Sequence, residues 1–408
     1  MKKQLIDKLK LIARKGLIVM NDGFLCLSVK KGQMIFESFN GKNINDNPLA
    51  IYQQLIKNKP ELAEKMYFSV KPSEYRRLKA EHPNIRIIKR FTPQWVSIIA
   101  RAQFWVMNSR MPTWWKKNKQ TTYIQTWHGT PLKKLGIDIS NVEIPGQTTA
   151  SYHADFSKEA SRWNYLIAPN QYSENIFTRA FNFKNRYLEI GYPRNDVLYQ
   201  ENNAPAIKTL KQRILGKIPK RIIMYAPTWR DDDFIQQGKY HFTLPFDLNQ
   251  FFKQVDNDTI LIIRPHYLVA DQIDISGFEG RVFVIPNHDI NELYLITDLL
   301  ITDYSSVMFD YANLKRPMLF FAYDLPHYKD KLRGFYLPYD QQYLPGPLVT
   351  QTQDFYQKIA SWHRTGINQV YSQKLAEFNQ QFCSWDDGHA AQQVSNLIQE
   401  VIKGEDHG

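Results

Sequence analysis

The sequence predicts an α/β protein of two doubly wound parallel-sheet domains facing each other across a cleft. Three observations carry that expectation. Short apolar runs alternate with helical patterns along the chain, the signature of a parallel sheet covered on both faces. The length of 408 residues suits two domains better than one. Polar clusters fall just after the apolar runs, where open parallel sheets bind their ligands.

Residues 1–14 fit an amphipathic helix, with Leu5, Ile6, Leu9, Ile12 and Ala13 on one face and Lys3, Lys8, Lys10 and Arg14 outside it. Two β-rich runs follow, FLCLSV at 24–29 and QMIFES at 33–38. Strand-like runs then appear at 65–70, 85–89, 103–108, 122–127, 164–168 and 186–191. Helical patterns fill the gaps at about 48–58, 73–81, 93–101, 155–162 and 172–181. The stretch 191–220, with Pro193, Pro205, Gly216 and Pro219, reads as an interdomain connection. The second half repeats the rhythm at 221–226, 259–264, 281–286, 298–302 and 318–322, and a last helix spans about 388–402. The expected domains are 1–190, 191–220 as connection, and 221–408 including the C-terminal helix.

Composition narrows the function. Hydrophobic residues make up 43% and charged residues 23%, which is globular and not disordered. Cys26 and Cys383 are the only cysteines, so no disulfide framework is expected, and a reducing compartment is. No apolar run reaches the roughly 18 residues of a bilayer span. Asp7, Lys8 and Lys10 interrupt what would be the apolar core of a signal peptide. Residues 1–150 hold 26 Lys/Arg against 10 Asp/Glu, whereas residues 151–408 hold 26 against 30. The basic first third points to an anionic partner surface or to a solvated basic face.

Four clusters at strand ends can carry chemistry. In Trp127-His128-Gly129-Thr130-Pro131, glycine permits close backbone approach, Thr-Pro opens a helix, and the histidine can take a proton near neutral pH. The plain alternative is a histidine that caps a strand end. Arg264-Pro265-His266 can bind phosphate oxygens, or form a loop ion pair. Thr228-Trp229-Arg230 offers a hydroxyl and a guanidinium, and Asp231, Asp232 and Asp233 after it read as an exposed acidic loop ahead of a metal site. Thr302-Asp303-Tyr304-Ser305-Ser306 ends a strand and opens a helix with Asp310 one turn in. Free N–H groups and hydroxyls at such a start suit a diphosphate, and Asp310 could accept from ribose hydroxyls. Serine N-capping alone would explain Ser305 but not the whole unit.

Together with NYLIAPNQYS, GYPRND, YAPTWRDD, RGFYLPY and LPGPLV, these clusters resemble the CDP-glycerol:poly(glycerophosphate) glycerophosphotransferase family of teichoic acid biosynthesis, from about Trp127 to Val349. The resemblance implies a GT-B-like fold of two Rossmann-like domains with the donor between them. It places the family's essential histidines on His128 and His266. Donor contacts would fall on Gly129, Thr130, Arg194, Thr228, Arg264, Ser305, Ser306 and Asp310. It implies transfer of polyol phosphate from CDP-glycerol or CDP-ribitol to an undecaprenyl-diphosphate-linked acceptor, with CMP leaving. No cofactor and no tightly bound metal are expected. Priming and chain-extending enzymes share the motifs. A nucleotide-sugar glycosyltransferase of the same fold is the competing reading, to be favoured by turnover of UDP-sugars. A nucleic-acid-binding protein is a third, but the basic residues mix with Trp95, Trp105, Trp114 and Trp115 and not with any nucleic-acid motif.

A lipid-linked acceptor implies a peripheral enzyme on the cytoplasmic face of the cell membrane. The expected contacts with an anionic surface are the helix at 1–14 and Trp114, Trp115, Lys116 and Lys117, which combine interfacial aromatics with cations.

Overall fold

The structure is a computed structural model. It describes residues 2–142, 146–228, 234–236, 239–240, 243–265, 273–325 and 334–404. The chain divides into two compact units, one of residues 1–128, 135–196 and 385–408, the other of 129–134 and 197–384.

In the first unit, strands β1 (Lys30–Glu37), β2 (Met66–Val70), β3 (Ile87–Lys89), β4 (Ala102–Met107), β5 (Thr122–Gln125), β6 (Tyr165–Ala168) and β7 (Arg186–Glu189) form one sheet in the order β3-β2-β1-β4-β5-β6-β7. Every pairing is parallel. Helices α1 (Lys2–Leu25), α2 (Asp46–Asn58), α3 (Tyr75–Glu81), α4 (Pro93–Ala100), α5 (Thr149–Ala160) and α6 (Gln171–Ala180) connect or flank these strands. Met34, Phe36, Phe68, Phe104, Val106 and Ile124 are fully buried, as strands covered on both faces require. Strand order reverses between β1 and β4, so the ligand crevice of this sheet lies beyond Glu37 and Met107.

The connecting stretch is helical, with α7 (Asp196–Gln200) and α8 (Ala204–Leu215). Asn203 caps α8, donor and acceptor 3.0 Å apart, and left-handed Gly216 ends it.

The second unit holds β8 (Arg221–Ala226), a small hairpin of β9 (Phe234–Gln236) and β10 (Lys239–Tyr240), β11 (Thr259–Ile263), β12 (Val282–Val284), β13 (Leu299–Thr302), β14 (Met318–Phe321) and β15 (Leu348–Val349). Its main sheet runs β12-β11-β8-β13-β14-β15, again parallel. The order reverses between β8 and β13. Besides α8, the helices described in this unit are α9 (Leu248–Phe252), α10 (Ile290–Ile296), α11 (Val307–Tyr311), α12 (Thr352–Thr365) and α13 (Gln369–Phe382).

Two doubly wound α/β units are what the sequence led one to expect. Several details differ. FLCLSV is no strand, because Phe24 and Leu25 complete α1. The helices α12 and α13 had no counterpart in the sequence reading. The C-terminal helix α14 (Ala390–Lys403) packs on the first unit, not the second. Its Ala390, Val394 and Ile398 share a core with Ile51 and Leu55 of α2. Gln392 accepts from Gln54 at 2.7 Å and Ser395 from Asn58 at 3.1 Å. Asp196 accepts from the N–H groups of Ala390 and Ala391 at 3.0 and 2.8 Å, closing the helix start with a carboxylate.

Candidate active site

In the first unit the crevice at the β1/β4 reversal is organised around His128. Its Nδ1 lies 2.7 Å from the backbone oxygen of Asn108, just past the end of β4. A carbonyl can only accept, so Nδ1 carries the proton and Nε2 is left with its lone pair. The ring stacks on Trp127 with centroids 4.5 Å apart and meets the edge of Phe39 at 5.7 Å. His128 as a residue is exposed to solvent. The protein packed about its ring is the largest cause of a pKa held below the ordinary histidine value. The Asn108 hydrogen bond and Asp46 oppose that depression, and Arg194 adds to it. A neutral imidazole with a free Nε2 is equipped as a general base.

The backbone around it is strained. Trp127, Phe39 and Asp46 have φ of 52°, 49° and 63°, conformations costing about 1–3 kcal/mol each for residues with side chains. Fully buried Asn47 bonds to two of them, its N–H donating to Asp46 Oδ1 at 2.7 Å and its Nδ2 to the Trp127 carbonyl at 3.2 Å, while its Oδ1 accepts from the Arg194 N–H at 3.0 Å. Arg194 was expected to contact donor. Its guanidinium is nearly buried, paired with Asp46 at 2.9 Å and donating to the His128 carbonyl at 2.9 Å. Asp46, Asn47 and Asn108 were missed in the sequence. The available signal was the turn-forming Asn45-Asp46-Asn47-Pro48 placed shortly after a strand.

Gly191 has φ of 74°, and a Cβ there would sit 2.5 Å from Asp386 Oδ1. That same oxygen accepts from the Tyr192 N–H at 3.0 Å. Glycine is therefore obligatory where the chain enters the Pro193-Arg194 turn.

The unit boundary falls between His128 and Gly129. Residues 129–134 lie against the second unit through a short clip, with Lys134 N–H donating to Gly334 O and Tyr336 N–H to Leu132 O, each at 2.8 Å. This gives the RGFYLPY motif a structural task. Gly129 lies beside Ser306, whose Oγ would be 3.4 Å from an added Cβ. Thr130 is buried.

At the β8/β13 reversal, Thr302 Oγ1 donates to Ala226 O at 2.7 Å and the Thr228 N–H donates to Asp303 Oδ1 at 2.8 Å. Both bonds tie the two strand ends together, and neither residue was singled out for this from sequence. Ser305 Oγ accepts from the Val307 N–H at 3.4 Å, whereas Ser306 makes no side-chain cap. The helix α11 they open is a short one of 5 residues. Asp310 is 8% exposed. Arg264, after β11, donates to Ile285 O at 2.9 Å, and burial lowers its pKa. The second expected catalytic residue, His266, lies outside the described residues, as do Arg230 and Asp231–Asp233.

Of the four expected membrane residues, one is fully buried and a second is half-buried. Trp115 is 0% exposed and packs on Trp95 with centroids 4.8 Å apart. Lys117 donates to Asn164 Oδ1, and burial pulls its pKa down to about 8. Trp115 cannot meet a lipid surface, whereas Lys117 is half-buried. Trp114 is part-exposed under the guanidinium of Arg14 at 4.6 Å, and Lys116 pairs with Asp22 at 2.9 Å. Among the described residues, no helix is long and apolar enough to cross a membrane.

Two parallel-sheet units, each with polar residues gathered at its strand-order reversal, define the GT-B-like class of two Rossmann-like units. The sequence profile of the CDP-glycerol:poly(glycerophosphate) glycerophosphotransferase family matches residues 19–400, and the chain belongs to that family. It is 44% identical over 408 residues to the teichoic acid poly(glycerol phosphate) polymerase of Bacillus subtilis, covering 97% of this chain and 53% of that protein. The chain thus spans about half the length of that polymerase. It is 42% identical over 378 residues to the teichoic acid glycerol-phosphate transferase of Staphylococcus aureus, covering 90% of this chain and 93% of the relative. The solved wall teichoic acid polymerase TagF superposes with a TM-score of 0.86 at 39% identity, covering 99% of this chain and 98% of that one. A further TagF structure is of a histidine-to-asparagine variant soaked with CDPG.

Proposed function

We propose that this chain transfers glycerol phosphate from CDP-glycerol to a terminal hydroxyl of a polyprenyl-linked teichoic acid precursor, releasing CMP. The observation that supports this best is the fixed tautomer of His128, whose Nδ1–H is held by the Asn108 carbonyl at 2.7 Å. The acceptor hydroxyl gives its proton to Nε2 as its oxygen attacks the phosphorus bearing glycerol. The bond from that phosphorus to the CMP oxygen breaks, and CMP departs with the electron pair. Arg264, Ser305 and Ser306, all at strand ends of the second unit, hold the diphosphate and offset charge on the leaving phosphate. The family resemblance gives His266 a share of that task. Gly129, Thr130, Arg194, Thr228 and Asp310 complete the donor contacts. Glycerol is preferred over ribitol as the donor polyol because the relatives compared above carry glycerol phosphate in their names.

The acceptor's lipid brings the enzyme to the membrane, on its cytoplasmic face. Helix α1 supplies the surface, with Leu11, Ile12 and Val19 exposed at 51%, 66% and 72% beside Arg14 and Lys15. Incubation with CDP-glycerol or CDP-ribitol and a lipid-linked acceptor, reading CMP and product mass, tests the reaction. CMP release from UDP-sugar-free mixtures with the glycerol donor is expected. Turnover of UDP-sugars with none of CDP-polyols would overturn it.

A further inference from the structure

Past the end of β4, two residues beyond the carbonyl that fixes His128, lies Arg110. Its guanidinium carbon sits 4.0 Å over the ring of Phe156 and 5.3 Å from that of Tyr152, both on α5. Among the described residues it makes no hydrogen bond and no ion pair. The acids near it are committed elsewhere. Asp155 accepts from Thr113 at 3.1 Å. Glu159 is bonded to the Met111 N–H at 2.8 Å, to the Tyr123 hydroxyl at 3.2 Å and to Arg162. Burial is the largest influence on Arg110 and works against its charge. A part-buried guanidinium with its face on rings and its N–H edge unused is a poor structural choice and a good anion receptor.

A second observation stands beside it. Asn108 is fully buried, and its Oδ1 accepts from the Phe39 N–H at 2.7 Å and the Ser109 hydroxyl at 3.2 Å. Those bonds fix which end of the amide is oxygen. Its Nδ2 is then a buried donor with no partner among the described residues. Buried donors are nearly always satisfied, by protein, water or ligand. The rings of Trp127 and Phe156, tilted with centroids 6.3 Å apart, lie between the imidazole and the guanidinium in one aromatic cluster.

We propose that Arg110, with the Asn108 amide, binds a phosphodiester of the acceptor, one repeat back from the hydroxyl presented to His128. The proposal rests on the transferase reading above. It makes Arg110 the residue that prefers a phosphate-bearing acceptor over a neutral polyol. The anion is that of the acceptor chain, not of a lipid headgroup, and a lipid-free substrate separates the two.

The test uses the whole chain, CDP-glycerol, and two soluble acceptors, a short oligo(glycerol phosphate) and a glycerol glycoside without phosphate. The Arg110→Gln variant should raise the KM for the oligo(glycerol phosphate) by about tenfold or more, the loss expected of a charge-assisted contact. Its KM for CDP-glycerol, and its turnover of the phosphate-free acceptor, should stay within about twofold. Arg110→Lys keeps the charge without the fork and should fall between. Equal KM changes for both acceptors, or none, would overturn the proposal. If Arg110→Gln fails to fold, Arg110→Lys decides by the same ratio of acceptor KM values. Failure of the wild-type chain to release CMP with either acceptor would instead count against the transferase reading itself.

Discussion

His128 Nδ1 and the backbone oxygen of Asn108 stand 2.7 Å apart, and that one contact decides which nitrogen can take a proton. A backbone oxygen cannot be mutated away or titrated, so the tautomer is fixed by the fold itself. Replacing His128 by Ala should lower kcat by about 10²–10⁴-fold with little effect on the KM for CDP-glycerol. CMP release under saturating donor measures it. A variant retaining more than about a tenth of wild-type turnover would remove His128 from the proton step.

The pH profile should carry the signature of its neighbours. A base must be neutral, so kcat/KM falls as pH drops through the His128 pKa, which lies below the ordinary histidine value. Asp46 raises that pKa and Arg194 lowers it. Asp46→Asn should therefore move the acid limb to lower pH, and Arg194→Gln to higher pH. Movement of both limbs in the same direction would show that the pair acts only by holding the loop.

The strand pattern was legible because parallel strands buried on both faces become continuous apolar runs, as in RIIMYA and TILII. FLCLSV misled for the same reason, since an apolar run without clear alternation fits a helix end equally well. The helices α12 and α13 bury only Phe355, Ile359, Leu375, Phe378 and Phe382, and so thin a stripe hardly registers. No local pattern tells which sheet a terminal helix joins. That is settled by Asp196, 194 positions before Ala390. His128 could be read from its motif, whereas its partner is a main-chain oxygen that has no letter in the sequence.

Gly191→Ala should destabilise the first unit by about 1–3 kcal/mol beyond the backbone strain alone. Gly216, with φ of 70° and nothing within 4 Å of an added Cβ, isolates that backbone part. Urea unfolding of both alanine variants gives the difference. Equal losses would mean that Asp386 moves aside freely.

Asp196 links the stability of α14 to pH. Burial pushes its carboxyl up to about 6, from 3.8, against the two N–H groups that favour its ionised form. The folded state therefore holds this proton more tightly than the unfolded one. The resulting stabilisation is fully present below about pH 4 and is lost as pH rises through about 6, about 3 kcal/mol at most. Asp196→Asn removes the titration, so the stability of wild type relative to this variant should fall between pH 4 and pH 7. A difference that stays flat or grows with pH would mean that the helix N–H groups outweigh burial.

Docking through α1 is the remaining expectation, now drawn more narrowly than the sequence suggested. With Trp115 buried and Lys117 half-buried, the exposed large apolar side chains described on α1 are those of Leu11, Ile12 and Val19. Ile12, Lys15 and Val19 share one face of the helix with Lys8, at spacings of three and four residues. An apolar side chain moved from water into the acyl boundary gains about 1.5–3 kcal/mol. Each cation near an anionic surface adds about 1 kcal/mol, less at high salt. Two or three such residues are enough for reversible attachment. Vesicle co-sedimentation should accordingly rise with the fraction of anionic lipid and fall with salt. Leu11→Ser with Ile12→Ser should weaken it by about tenfold or more, while turnover of a water-soluble acceptor stays within about twofold. Lys116→Ala should change little, because Lys116 is already engaged with Asp22. Binding that ignores lipid charge, or that survives the double serine variant, would exclude α1 as the contact.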